Sequence, residues 1–169
     1  ALLDAGADAN KEANYGTTSL IWAAQIGDDH CVKILLDAGA DMTVMMTQVD
    51  DDALTALMAA ARYGQTDCVK TLLRAGADAK KVNNDGQSAL IFAAQGGYTD
   101  CVKTLLAAGA DADKAERGGW TALMLAADKG FTDCVKTLLG AGADAGKTRT
   151  DGRTALMIAA DKGFTDCVK

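Results

Sequence analysis

The sequence predicts an all-α solenoid of tandem helix–loop–helix units joined by turn or hairpin-like links. Three observations predict it. Cys31, Cys68, Cys101, Cys134 and Cys167 are spaced 37, 33, 33 and 33 residues apart, and a fixed period near that length marks one supersecondary unit repeated along the chain. Glycines recur at two fixed places in each period, Gly27, Gly64, Gly97, Gly130 and Gly163 at one and Gly39, Gly76, Gly109 and Gly142 at the other. No proline occurs among the 169 residues, which suits a chain made mostly of helix.

The unit builds in order. A glycine turn (Gly16, Gly86, Gly119, Gly152) precedes a hydroxyl residue by two positions. Thr18, Thr55, Ser88, Thr121 and Thr154 can then accept a first-turn N–H and start a helix. The run Ala122-Leu123-Met124-Leu125-Ala126-Ala127 is apolar nearly all round, so this first helix is expected to be buried. Its glycine stop suits the left-handed conformation. A second helix follows, with Thr66, Thr99, Thr132 and Thr165 as expected caps and an aspartate in its first turn, where negative charge is favoured. Cys101, Val102, Leu105 and Leu106 form one apolar face, and Lys103 can pair with Asp100 on the other side. Two short helices cannot bury their faces alone, so neighbouring units must stack.

These residues resemble the ankyrin repeat. That family's first helix reads Thr-Pro-Leu-His-x-Ala-Ala with a glycine three residues on. The match here is Thr55-Ala56-Leu57-Met58-Ala59-Ala60-Ala61 with Gly64, and Thr121-Ala122-Leu123-Met124-Leu125-Ala126-Ala127 with Gly130. The family's second-helix ending appears as Leu72-Leu73-Arg74-Ala75-Gly76-Ala77-Asp78. The resemblance covers the chain in about five copies, as a single array. Residues 1–13 are a partial repeat; 14–50, 51–83, 84–116 and 117–149 are full repeats; 150–169 is partial again. Both ends fall inside a unit, so the expectation is a piece of a longer protein without polar capping repeats. The family's proline is replaced by Ala or Ser19, and its histidine by Ile21, Met58, Ile91, Met124 and Met157. The resemblance gives that histidine loop-tying hydrogen bonds, so apolar packing and looser loops are expected in their place.

Composition narrows the function. Net charge is −6 with 23 acidic residues, against the basic stripe that a nucleic-acid groove needs. There is no apolar run of membrane-spanning length and no secretory leader pattern. The cysteines lie one per repeat on an apolar face, so they are expected to be free, buried small hydrophobes in a reducing, intracellular and cytoplasmic setting. A disulfide or zinc site would need them closer than the roughly 10 Å between packed helices. His30, the only histidine, reads as a solvated surface residue. No catalytic set, phosphate loop or metal motif is present, so no enzyme, metal or cofactor is expected.

What varies between units is the turn tips and the end of each first helix. In ankyrin-like arrays, the resemblance implies, these line a concave groove for a protein partner. The expected contact residues are Tyr15, Ile26, Met45, Met46, Arg62, Tyr63, Gln95, Arg117, Trp120, Lys129 and Arg153, with aromatic and arginine anchors favoured as hot spots. Leu54, Asp51 and Asp52 share the tip positions. Trp120 can equally fold back on its own hairpin. Trp22 aligns with Ala59, Phe92, Leu125 and Ile158 and is expected in the core; Tyr98, Phe131 and Phe164 are expected half-buried. The four extra residues of the long period fall within Met42–Thr47, where exposed methionines could make adaptable contacts, beside the acidic run Asp50-Asp51-Asp52. The leading reading is a non-catalytic protein-binding scaffold. Two others stand beside it: a stretch of a longer array that self-associates end to end or laterally, and a substrate-selecting arm of a larger enzyme.

Overall fold

A computed structural model describes residues 1–47 and 53–169, in two compact units, residues 1–78 and 79–169. The architecture is all-α and repetitive. In the first unit, a 3₁₀ turn (Asn14–Gly16) leads into the pair α1 (Ser19–Ile26) and α2 (Asp29–Asp37). A two-stranded antiparallel ribbon, β1 (Met46–Thr47) with β2 (Ala53–Leu54), leads into the pair α3 (Ala56–Arg62) and α4 (Thr66–Arg74). The second unit holds three pairs: α5 (Ala89–Gln95) with α6 (Thr99–Ala107), α7 (Ala122–Asp128) with α8 (Thr132–Gly140), and α9 (Ala155–Asp161) with α10 (Thr165–Val168). Within each unit first helices pack on first helices, α1 on α3 and α5 on α7 on α9, and second helices follow the same order.

First helices of seven or eight residues are far below the length at which an isolated helix persists in water. Packing and capping hold them. Thr18, Thr55, Ser88, Thr121 and Thr154 each accept the backbone N–H three residues on, at 3.3–3.4 Å. Each first helix then stops at a glycine with φ between +70° and +87°. Leu20, Ile21, Met58, Leu90, Ile91 and Met124 are fully buried. At Ile21, Met58, Ile91 and Met124 the apolar replacement for the family's histidine is therefore part of the core, as expected, whereas Met157 is exposed.

The second helices differ from expectation. Thr66, Thr99, Thr132 and Thr165 are their first residues, not their caps, and the residues before them make no side-chain cap bond. Their hydroxyls have other partners. Thr66 and Thr132 turn back to the carbonyls of Gly64 and Gly130, while Thr99 and Thr132 reach the sulfur of the next repeat's cysteine, Cys134 and Cys167, at 3.3 and 3.4 Å. Only Asp28, at the start of α2, caps with its side chain among the second helices, accepting from Cys31 N–H at 2.9 Å. The Lys103–Asp100 pair forms at 3.4 Å.

Two further expectations are corrected. Trp22 is exposed, not core, and Cys31 is exposed where Cys68, Cys101 and Cys134 are buried. In both cases the residue sits on the side of its helix that a preceding repeat would cover. Residues 1–13 supply turns there but no helix. Ala59 and Cys68, the equivalents in the next pair, lie beneath α1 and α2 and are buried.

Candidate partner-binding surface

The links between pairs form the fingers. In the second unit each closes with one antiparallel bridge, Val82 to Ser88, Ala115 to Thr121 and Thr148 to Thr154. The residue beside the bridge decides how the finger is braced. Asn83 Oδ1 accepts from Asp85 and Gln87 N–H. Glu116 Oε1 accepts from Gly118 and Trp120 N–H at 2.8 and 3.4 Å. Arg149, at the same place in the next finger, has no acceptor atom. It lays its guanidinium over the Trp120 ring, 4.0 Å from the centroid, and pairs with Asp151 at 3.3 Å. Trp120 is thus half-buried between two fingers: its ring lies over Gly118 of its own finger, 3.1 Å from where an added Cβ would stand, and meets Arg149 of the following one. Residue-by-residue reading missed Arg149. The signal was a charge reversal, an arginine 33 residues after Glu116.

Adjacent fingers are also tied along their backbones. Arg117 N–H donates to Asp85 carbonyl at 2.8 Å, and its guanidinium meets the Asp85 carboxylate at 2.9 Å. Thr150 hydroxyl donates to Gly118 carbonyl. Arg153 pairs with Asp161 at 2.7 Å, which fastens a finger to the end of α9. Lys162 and Lys129 both reach Asp128, at 3.7 and 3.5 Å. Arg153 and Lys129 are therefore each held by an aspartate at the end of a first helix, and Gln95 is exposed at the end of α5.

In the first unit the expected contact residues divide. Tyr15, with φ +64°, and Ile26 are exposed. Arg62 is half-exposed and Tyr63 exposed at the end of α3, at the places that Gln25 and Ile26 hold in α1. Met45 is half-buried, its carbonyl against Gly16, where an added Cβ would stand 3.2 Å from the oxygen. Met46 and Leu54 are corrections. Met46 is 2% exposed and Leu54 0%, because pairing Met46 with Leu54 in the ribbon puts both on its packed face, and Met46 sulfur accepts from Thr17 hydroxyl at 3.8 Å. Asp50, Asp51 and Asp52 lie outside the described residues.

No group of His, Cys, Asp or Glu among the described residues is placed to hold a metal ion, and no helix among them is long and apolar enough to cross a membrane. Three of the thiols hold their protons more firmly than a free cysteine. Burial pushes Cys68 up to about 11 and raises Cys134 as well, while hydrogen bonding to the Asp28 carboxylate raises Cys31. A thiol reagent at pH 8 should label exposed Cys31 first and reach Cys68, Cys101 and Cys134 only on unfolding. Prompt labelling of Cys101 would contradict the packing. Because Cys68 holds its proton in the folded state, its stabilising contribution is complete below the ordinary thiol value of 9 and is lost as pH rises to about 11. Denaturant titrations of Cys68→Ala and the parent should therefore converge across that window.

Paired helices capped by hydroxyls, glycine stops and bridged fingers define a tandem-repeat array that displays side chains on a repeating frame. The family model described as Ankyrin repeats matches in three copies, over residues 1–83, 57–149 and 123–169, and the chain belongs to the ankyrin-repeat family. Ankyrin repeats are in general protein–protein interaction modules. No curated protein matches the chain.

Proposed function

We infer that this chain is a non-catalytic scaffold that binds a protein partner through the finger tips and first-helix ends of its repeats. One contrast carries the reading. The last two positions before each first-helix glycine hold Gln25 and Ile26, Arg62 and Tyr63, Gln95 and Gly96, Asp128 and Lys129, and Asp161 and Lys162. Every one of them is exposed or half-exposed. One turn away, Leu20, Leu57, Leu90 and Leu123 repeat without change and are buried. A repeat that is constant inside and different at the end of its first helix is built to present that end. Tyr63 and Arg117 are its best anchors, since exposed aromatic and arginine side chains concentrate binding energy. The free cysteines suit a reducing compartment, and we place the protein in one.

A photo-crosslinking residue placed at Tyr63, Gln95 or Lys129, compared with one at Lys103 or Lys136 on the second helices, tests this in cells. Crosslinks to a common partner from the first group alone are expected. Equal yields from the second-helix positions would refute the reading.

A further inference from the structure

Charge is sorted along the fingers of the second unit. Residues 79–169 hold twelve lysines and arginines against eleven aspartates and glutamates, although the whole chain has a net charge of −6. The three links of this unit, residues 79–88, 108–121 and 141–154, carry six carboxylates. Five of them are spent on the backbone. Asp111, Asp113, Asp144 and Asp151 accept from the N–H of Asp113, Asp144, Gly146 and Arg153, at 2.8–3.2 Å, and Glu116 braces its own finger. The sixth, Asp85, is held by Arg117. Three lysines have no such employment. Lys81, Lys114 and Lys147 stand at one position, 33 residues apart, once in each link. None forms an ion pair among the described residues. Lys114 is exposed although a finger stands on either side of it, and Arg117, on the same finger, is paired yet 74% exposed.

We propose that these fingers hold an acidic segment of the partner protein, extended across the three links with its carboxylates on Lys81, Lys114 and Lys147. The acids of the fingers shape the backbone, and the unpaired lysines are what an incoming chain meets. Opposite charge steers such a chain in, fixes its register and turns away basic competitors. Spacing sets the pattern it must carry. Packed helices, and the repeats built from them, lie about 10 Å apart, and an extended chain advances about 3.3 Å per residue. A carboxylate at every third residue therefore keeps step with the lysines. The proposal rests on the fingers being the display surface and adds the chemistry of what they hold.

Fluorescence anisotropy of labelled synthetic probes, titrated with the whole chain, tests it. The probes are a short peptide with glutamate at every third residue and serine between, the same peptide with lysine for glutamate, one of equal composition with its glutamates consecutive, and a single-stranded oligonucleotide. The spaced glutamate peptide should bind best, and its binding should weaken with added salt. Reversing charge with Lys114→Glu and Lys147→Glu together should lower its affinity about tenfold or more, whereas Lys103→Glu with Lys136→Glu on the second helices should leave it within about twofold. Circular dichroism and melting check that both double variants fold. No binding of the glutamate peptide, or equal losses from the two double variants, overturns the proposal. Equal binding of the peptide with consecutive glutamates overturns the register, and tighter binding of the oligonucleotide assigns the lysines to nucleic acid instead. Crosslinks that persist from Tyr63, Gln95 or Lys129 while the peptide fails would remove the acidic partner alone; failure of both would remove the scaffold reading as well.

Discussion

Truncating Leu138 to alanine should destabilise the second unit by about 3 kcal/mol, within the usual range for a leucine deleted from a packed core. Leu138 is fully buried on α8, which packs on α6, α7 and α10. The cavity would open at a junction of three helices too short to hold their own shape. In a stacked array stability is a sum of unit and neighbour terms, so a loss at α8 weakens the joints on both sides. The check is urea denaturation, where the midpoint should fall by about 1–2 M. Leu156→Ala is the control: its side chain is half in solvent, and its cost should stay below about 1 kcal/mol. Equal costs at the two sites would contradict the assignment of inner and outer faces.

The second large effect is at a helix stop. Gly130 has φ +73°, and an added Cβ would lie 2.7 Å from the Phe164 ring; Gly97 meets Phe131 in the same way at 2.8 Å. Each of these aromatics, half-buried as expected, seats on the bare glycine of the preceding repeat. Gly130→Val therefore combines the left-handed backbone cost of about 1–2 kcal/mol with displacement of Phe164. Gly163 separates the two, because its φ is +75° and nothing lies within 4 Å of the added atom. Gly163→Val should show the backbone cost alone. Thermal melts of the pair should place Gly130→Val lower by at least about 1 kcal/mol, and equal melts would show that the ring moves aside freely.

The fold was legible because its signals are local and repeated. The hydroxyl caps, glycine stops and apolar runs each follow from side-chain chemistry within one unit. What sequence reading misplaced depends on neighbours. Trp22 shares a column with buried Ala59, Phe92 and Ile158 and is exposed because no helix among the described residues covers that side of α1. Met46 looked like a free loop methionine and is buried because the longer finger forms a ribbon that pairs it with Leu54. Thr99 and Thr132 had a cysteine sulfur one repeat away as an alternative partner, which no reading of a single unit reveals. Of the edge residues, Tyr63, Gln95 and Lys129 are exposed where the repeat pattern puts them. Trp120 is not free, because the brace it meets, Arg149, comes from the next repeat.

The inferred binding role rests on a division of labour between a repeating frame and variable first-helix ends. Replacing Tyr63 with Ser, Gln95 with Ala and Lys129 with Ala together, and measuring both the melt and the affinity for the crosslinked partner, tests it most directly. Stability is expected to stay within about 0.5 kcal/mol per site of the parent, as for ordinary surface positions, with binding lost. Unchanged binding, or a collapse of stability in step with binding, would contradict it.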